Sequence, residues 1–234
     1  MALDVQELPD AVALAAAVAP SVSTIKVGLE LYLRSAASGV QQVREAAAGC
    51  SIFLDLKLHD IPNTVSGAAR SVRHLEPDLF TVHALGGFDM IRAAVDALPA
   101  TQVAGVTILT SMSARDLTAV GVVGSPEDAV RRLATLSVTA GAMALVCSPL
   151  EVALVRAEVG EDIVLITPGV RFSGADTGDQ MRVATPAQAI ADGADLLVIG
   201  RPISAAPNPA AAAAAIAKSL VKAGGTLPTG PFTR

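Results

Sequence analysis

The sequence predicts a (β/α)₈ barrel formed as one domain over residues 1–234. Three observations carry that prediction. Eight short apolar runs, rich in β-branched residues, recur along the chain. Segments rich in Ala, Leu, Arg and Glu separate them, at a spacing of roughly 20 to 40 residues that matches a strand–helix unit. The length suits a single large α/β domain. Near-continuous apolar strands alternating with helices call for a parallel sheet covered by helices, and eight units favour closure into a barrel over an open doubly wound sheet. No GxGxxG follows the first strand, which weakens a dinucleotide-binding alternative.

The elements follow in order. MALDV (1–5) is the first strand, very short because Met1 falls inside it. TIKVGLE (24–30), SIFLDLK (51–57), LFTVHA (79–84) and VAGVTIL (103–109) come next. AMALVCS (142–148), DIVLITPG (162–169) and DLLVIGRP (195–202) complete the set. Several intervening helices announce their starts. Ser125-Pro126, Ser148-Pro149, Thr185-Pro186 and Asn208-Pro209 each put a capping residue before Pro, whose missing N–H costs nothing at the first helical position. Ser148 with Glu151, and Thr185 with Gln188, also fit a capping box. The Ala run at 210–215 is helix-forming composition. The Gly/Pro-rich end GGTLPTGPFTR, from about residue 224, predicts a loosely ordered tail.

Composition removes several function classes. Hydrophobic residues make up 52% of the chain and mean hydropathy is +0.53, enough for a large core. No apolar run reaches the length of a membrane span, roughly 18 residues. The start carries no charged segment followed by an apolar one, so export is not expected. Cys50 and Cys147 are far apart and form no CxxC, which fits a reducing, cytoplasmic setting. A net charge of −5, no Trp and 3% aromatics give nucleic acid neither a basic stripe nor stacking rings.

In such a barrel, function gathers at the C-terminal ends of the strands. The informative polar residues fall there: Asp4, Lys26, Asp55, Lys57, Thr110, Ser111, Arg171 and Arg201. FLDLKLHDIPNT (53–64) sets charges where an apolar strand closes. Asp55 and Lys57 are two apart, so alternation points both the same way. With Lys26 from the neighbouring strand and Asp60 just beyond, they can form an alternating row of Lys and Asp. Each charge is then flanked by its opposite and stays ionised when water is excluded. A structural ion-pair network is the bland reading of this row, set against a catalytic one because buried charge is costly without a purpose. TPGVRFSGADTGDQ (167–180) and IGRP (199–202) suit a phosphate held between the last two strand–helix loops, with Arg201 as a charged fork and Gln180 closing over it. Lone histidines are more often packing residues, and none of His59, His74 and His83 is assigned catalysis. No His, Cys and carboxylate set has metal-ligand spacing, so no metal is expected.

These motifs, with ALD (2–4), IKVG (25–28), VHALGG (82–87), TILTSM (107–112), VCS (146–148) and VIGRP (198–202), run nearly end to end. By them the chain resembles the orotidine 5′-phosphate decarboxylase family. DLKxHDIPNT and TPGxR…GDQ…IGRP carry the resemblance, because a bare DxKxxD is shared with sister barrels. The resemblance implies a (β/α)₈ decarboxylase without cofactor, making UMP in pyrimidine biosynthesis. It implies that Lys57 protonates C6 of the pyrimidine, that Asp55 faces the substrate carboxylate, and that Lys26 and Asp60 complete the row. It further implies a homodimer in which Asp60 and Thr64 reach the neighbour's site. Asp4 and Lys26 are implied at the ribose hydroxyls and Thr110 and Ser111 at the base. Arg171, Gln180, Gly200 and Arg201 are implied at the phosphate end, Pro168 among the substrate-binding residues, and roughly 170–182 as a loop closing over phosphate. Leu85 departs from the family pattern, which has a small polar residue there. Two alternatives stay open. One is a Mg²⁺-dependent sugar-phosphate decarboxylase or aldolase of the sister type, which the IPNT continuation and the GDQ loop oppose. The other is a barrel that binds a nucleotide phosphate without catalysis, which has no reason to bear the desolvation of the charged row.

Overall fold

A computed structural model describes residues 1–170 and 185–222. Among them seven strands pair in sequence order, all parallel. They are β1 (Thr24–Gly28), β2 (Ser51–Leu58), β3 (Leu79–His83), β4 (Gln102–Val106), β5 (Ala144–Val146), β6 (Val164–Thr167) and β7 (Leu196–Leu197). The helices are α1 (Leu8–Val18), α2 (Leu29–Ala46), α3 (Pro62–Val72), α4 (Phe88–Ala97), α5 (Ala114–Ala119), α6 (Pro126–Thr139), α7 (Val152–Val159), α8 (Pro186–Ala191), α9 (Arg201–Ser204) and α10 (Pro209–Lys222).

The first predicted strand is reduced to one bridge, Ala2 to Lys26. It still hydrogen-bonds on both sides. Leu3 N–H donates to Lys26 O at 3.0 Å, Lys26 N–H donates to Met1 O at 2.7 Å, and Ala2 N–H donates to Ile199 O at 2.9 Å. The segment therefore takes the eighth place, between β1 and the residues that follow β7, and links the two ends of the sheet. The predicted caps form where they were expected. Ser125 accepts from Asp128 N–H, Asn208 Oδ1 accepts from Ala211 N–H, and Ser148 and Glu151 complete both bonds of a capping box. At α8 only half of the box forms. Thr185 accepts from Gln188 N–H, but the Gln188 amide donates onward to Asp192 at 2.8 Å.

Strand alternation divides the core in two. Ile25, Ile52, Leu54, Phe80 and Val82 pack in the larger cluster with helix residues such as Ala69, Val72 and Ile91. Phe53, Leu79, Ala104, Ala144, Val164 and Ile166 pack against one another as a separate inner cluster, the filled interior that a parallel barrel needs. At the N-terminal end of the strands, Asp78 accepts Ile52 N–H and Asp195 accepts Leu165 N–H, each at 2.7 Å. These carboxylates pin neighbouring strands at the end away from the charged row. Among the described residues no helix is long and apolar enough to cross a membrane.

Candidate active site

The register that fills the interior also sets what stands above it. Lys26 pairs with Phe53 and Gly28 with Asp55, so the next inward position above Phe53 on β2 is Asp55. There the interior opens into a cavity of about 600 Å³ at the C-terminal ends of the strands. Phe53, Val106, Val146, Ile166 and Val198 give it an apolar lining, and Lys26, Asp55 and Lys57 enter it from one side.

The charges form a continuous chain. Asp4 Oδ1 is 3.4 Å from Lys26 Nζ, Lys26 Nζ is 3.2 Å from Asp55 Oδ2, and Asp55 Oδ1 is 2.7 Å from Lys57 Nζ. Exposure falls sharply toward the middle. The side chain of Asp4 is 61% exposed, whereas those of Lys26 and Asp55 are 11% and 9%. Burial alone pushes the Asp55 carboxyl up. Lys26, then Lys57 and the hydrogen bonds from Lys57 and Thr81, outweigh it and hold the group below the usual carboxylate range. Burial also opposes a charged Lys26, but Asp55 and then Asp4 outweigh it and raise its pKa. Both groups are ionised at neutral pH, as an alternating row requires.

Asp60 does not join this row within the chain. β2 ends at Leu58, so alternation no longer carries Asp60 inward. It is exposed, and its Oδ1 accepts the N–H of Ile61 at 2.6 Å. Within the chain Asp4 flanks Lys26 at the outer end of the row. Thr64 is likewise exposed, in the first turn of α3. Thr110, Ser111, Pro168, Gly200 and Arg201 line the cavity. Arg171 and Gln180, with the loop predicted to close over phosphate, lie outside the described residues, as does the tail from about 224. Leu85 is 43% exposed in the turn after β3. His59 and His83 face each other at 5.7 Å between ring centroids. Burial, then His59 and Lys57, lower the pKa of His83 and favour its neutral form.

Three features escaped the reading of the sequence. Thr81 is fully buried and donates to Asp55 Oδ1 at 2.9 Å. Its signal was a hydroxyl among the apolar residues of LFTVHA. Cys147 lines the cavity, although VCS gave no hint of its direction. Gly28 leaves room for the row, since a Cβ there would sit 3.1 Å from Lys26 Nζ and 3.5 Å from Asp4 Oδ1.

The geometry is thus a preorganised row of alternating charge over an apolar floor. The chain matches known proteins over nearly its whole length. The family model described as "Orotidine 5′-phosphate decarboxylase / HUMPS family" matches residues 1–216. The chain belongs to that family. An orotidine 5′-phosphate decarboxylase of Thermobifida fusca is 63% identical over 224 residues, covering 96% of each chain. One of Anaeromyxobacter dehalogenans is 58% identical over 221 residues, covering 94% of this chain and 96% of its own. Among solved structures, orotidine 5′-phosphate decarboxylase from Lactobacillus acidophilus superposes with a TM-score of 0.82 at 34% identity, covering 94% of this chain and 96% of its own. The family description takes in more than the decarboxylase. The curated relatives at high identity carry the decarboxylase name alone.

Proposed function

We propose that the protein decarboxylates orotidine 5′-phosphate to UMP without a cofactor. The observation that carries this reading is the row Asp4–Lys26–Asp55–Lys57, buried at its centre over an apolar floor, in a chain 63% identical to a relative bearing that name.

Loss of CO₂ from C6 leaves an electron pair in the plane of the ring, where the ring cannot delocalise it. The protein must then meet the charge electrostatically. The Lys57 ammonium lies at the cavity edge, held 2.7 Å from Asp55. A fixed ammonium beside a low-dielectric floor stabilises developing negative charge without reorganising, and interactions of this kind supply much of enzymatic rate enhancement. Lys57 then donates its proton to C6. Asp55 keeps that ammonium charged and aimed, and faces the carboxylate that leaves. Lys26 compensates Asp55 from the other side and, with Asp4, meets the ribose hydroxyls. Thr110 and Ser111 border the base.

Pro168, Gly200 and Arg201 mark the phosphate end, which Arg171 and Gln180 complete. Phosphate binding there contributes to turnover by holding the site closed, although it touches no reacting atom. Two copies pair so that Asp60 and Thr64 reach the partner's cavity, consistent with their exposure in a single chain. The protein acts in the cytoplasm.

The test is a spectrophotometric assay of the purified protein with orotidine 5′-phosphate, with and without EDTA. Conversion to UMP that EDTA leaves unchanged is expected. Activity lost with EDTA and restored by Mg²⁺ on a sugar phosphate would move the protein to the sister reaction. Tight nucleotide binding without turnover would make it a binding barrel.

A further inference from the structure

Lys57 sits in an unusual backbone setting. Leu54 of β2 pairs with Phe80 of β3, and Leu58 pairs with Val82. Three residues of β2, Asp55 to Lys57, therefore face the single residue Thr81. Lys57 takes up the extra chain with φ at +50°, a left-handed conformation that side chains other than Gly rarely adopt. The register shift interrupts the backbone ladder at this point. Lys57 N–H donates instead to Thr81 Oγ1 at 2.9 Å.

That bond dictates the next one. An amide can only donate, so the Thr81 hydroxyl is the acceptor there and keeps its own proton free to give. It gives it to Asp55 Oδ1 at 2.9 Å, the same oxygen that accepts from Lys57 Nζ. Asp55 Oδ2 faces Lys26. The carboxylate is thus held on both oxygens, and one buried hydroxyl joins the backbone of Lys57 to the side-chain partner of Lys57.

We propose that Thr81 is a positioning residue for the reaction. It holds the left-handed turn at Lys57 and fixes the rotation of the Asp55 carboxylate, so that Nζ is aimed before substrate arrives. This rests on the reading of Lys57 and Asp55 as the reacting pair.

The test compares Thr81→Val, which keeps the shape and removes the hydroxyl, with Thr81→Ser, which keeps the hydroxyl. Thermal melting first establishes that each variant is folded. Should Thr81→Val not fold, Thr81→Ala carries the same expectations. With orotidine 5′-phosphate, kcat of the valine variant falls about 10- to 100-fold, the loss of a hydrogen bond to a charged group. KM stays within about threefold, because the ribose and phosphate contacts are untouched, and Thr81→Ser stays within about threefold of wild type in both constants. In its crystal structure Thr81→Val shows Lys57 out of the left-handed region or Nζ withdrawn from Asp55, whereas Thr81→Ser shows neither. A valine variant with undiminished kcat, or an equal fall in both variants, overturns the proposal. So does a valine structure with Lys57 and Asp55 unmoved. If the wild type does not turn over orotidine 5′-phosphate, the decarboxylase reading falls, while the crystallographic comparison still decides what Thr81 holds.

Discussion

Replacing Asp55 by Asn removes one charge and almost no volume, so its effect isolates the electrostatics of the row. In the wild type Asp55 separates two ammonium groups, at 3.2 Å from Lys26 and 2.7 Å from Lys57. Without its charge Lys26, with 11% of its side chain exposed, keeps only Asp4 at 3.4 Å. Removing one partner of a buried ion pair costs about 3–5 kcal/mol, because the other charge is left uncompensated. At about 2–4 °C per kcal/mol for a chain of this size, Tm falls by roughly 6–20 °C. Lys57→Met is the control. It leaves Asp55 with Lys26 and with the Thr81 hydroxyl, and Lys57 is partly exposed, so it costs less than about 1 kcal/mol.

The pH dependence has a definite sign. The folded pKa of Asp55 lies below its ordinary value of 3.8. Its stabilisation is therefore fully present above pH 3.8 and is lost as pH falls through the lower, folded value. Urea denaturation of wild type and both variants at pH 7, 5 and 3.5 measures this. The gap between wild type and Asp55→Asn is expected to be the same at pH 7 and 5, and to begin narrowing only below 3.8. A gap under about 1 kcal/mol at pH 7, or a Lys57→Met variant as destabilised as Asp55→Asn, would refute the compensated row.

Four further outcomes are expected. Lys57→Ala abolishes decarboxylation while melting as wild type does, and residual activity near wild type in the orotidine 5′-phosphate assay excludes Lys57 as the acid. Mixing the inactive Lys57→Ala and Asp60→Ala proteins under subunit exchange restores about a quarter of wild-type activity, because half the sites of each hybrid dimer are intact if two-fold pairing shares them; no recovery denies the shared site. Arg201→Ala lowers kcat/KM by 100-fold or more, about the effect of losing a charged hydrogen-bonded contact to phosphate, and an unchanged kcat/KM removes Arg201 from the phosphate end. Gly28→Ala leaves folding nearly intact, since the flexible end of Lys26 can yield. It displaces Nζ, however, and lowers kcat/KM about 10- to 100-fold in the same assay.

The sequence by itself determined the architecture and the strand ends at which the charges stand. Strand runs, cap-Pro starts and apolar periodicity are local properties, and alternation alone turns Lys26 and Asp55 to the same interior as Phe53. Motif spacing likewise marked the loops that carry Thr110, Pro168 and Arg201 to the cavity. The tertiary structure decided how the charges connect. Nothing local to MALDV shows that three of its residues bridge Lys26 and Ile199, yet that bridge brings Asp4 to Lys26 at the outer end of the row. Nor does local sequence reveal the register shift between β2 and β3. Pairing register depends on residues some 25 positions apart, and here it fixed both the left-handed Lys57 and the role of Thr81. Which side chains can point inward is written in the period of each strand. Which of them touch is settled only when strands distant in sequence take up their register.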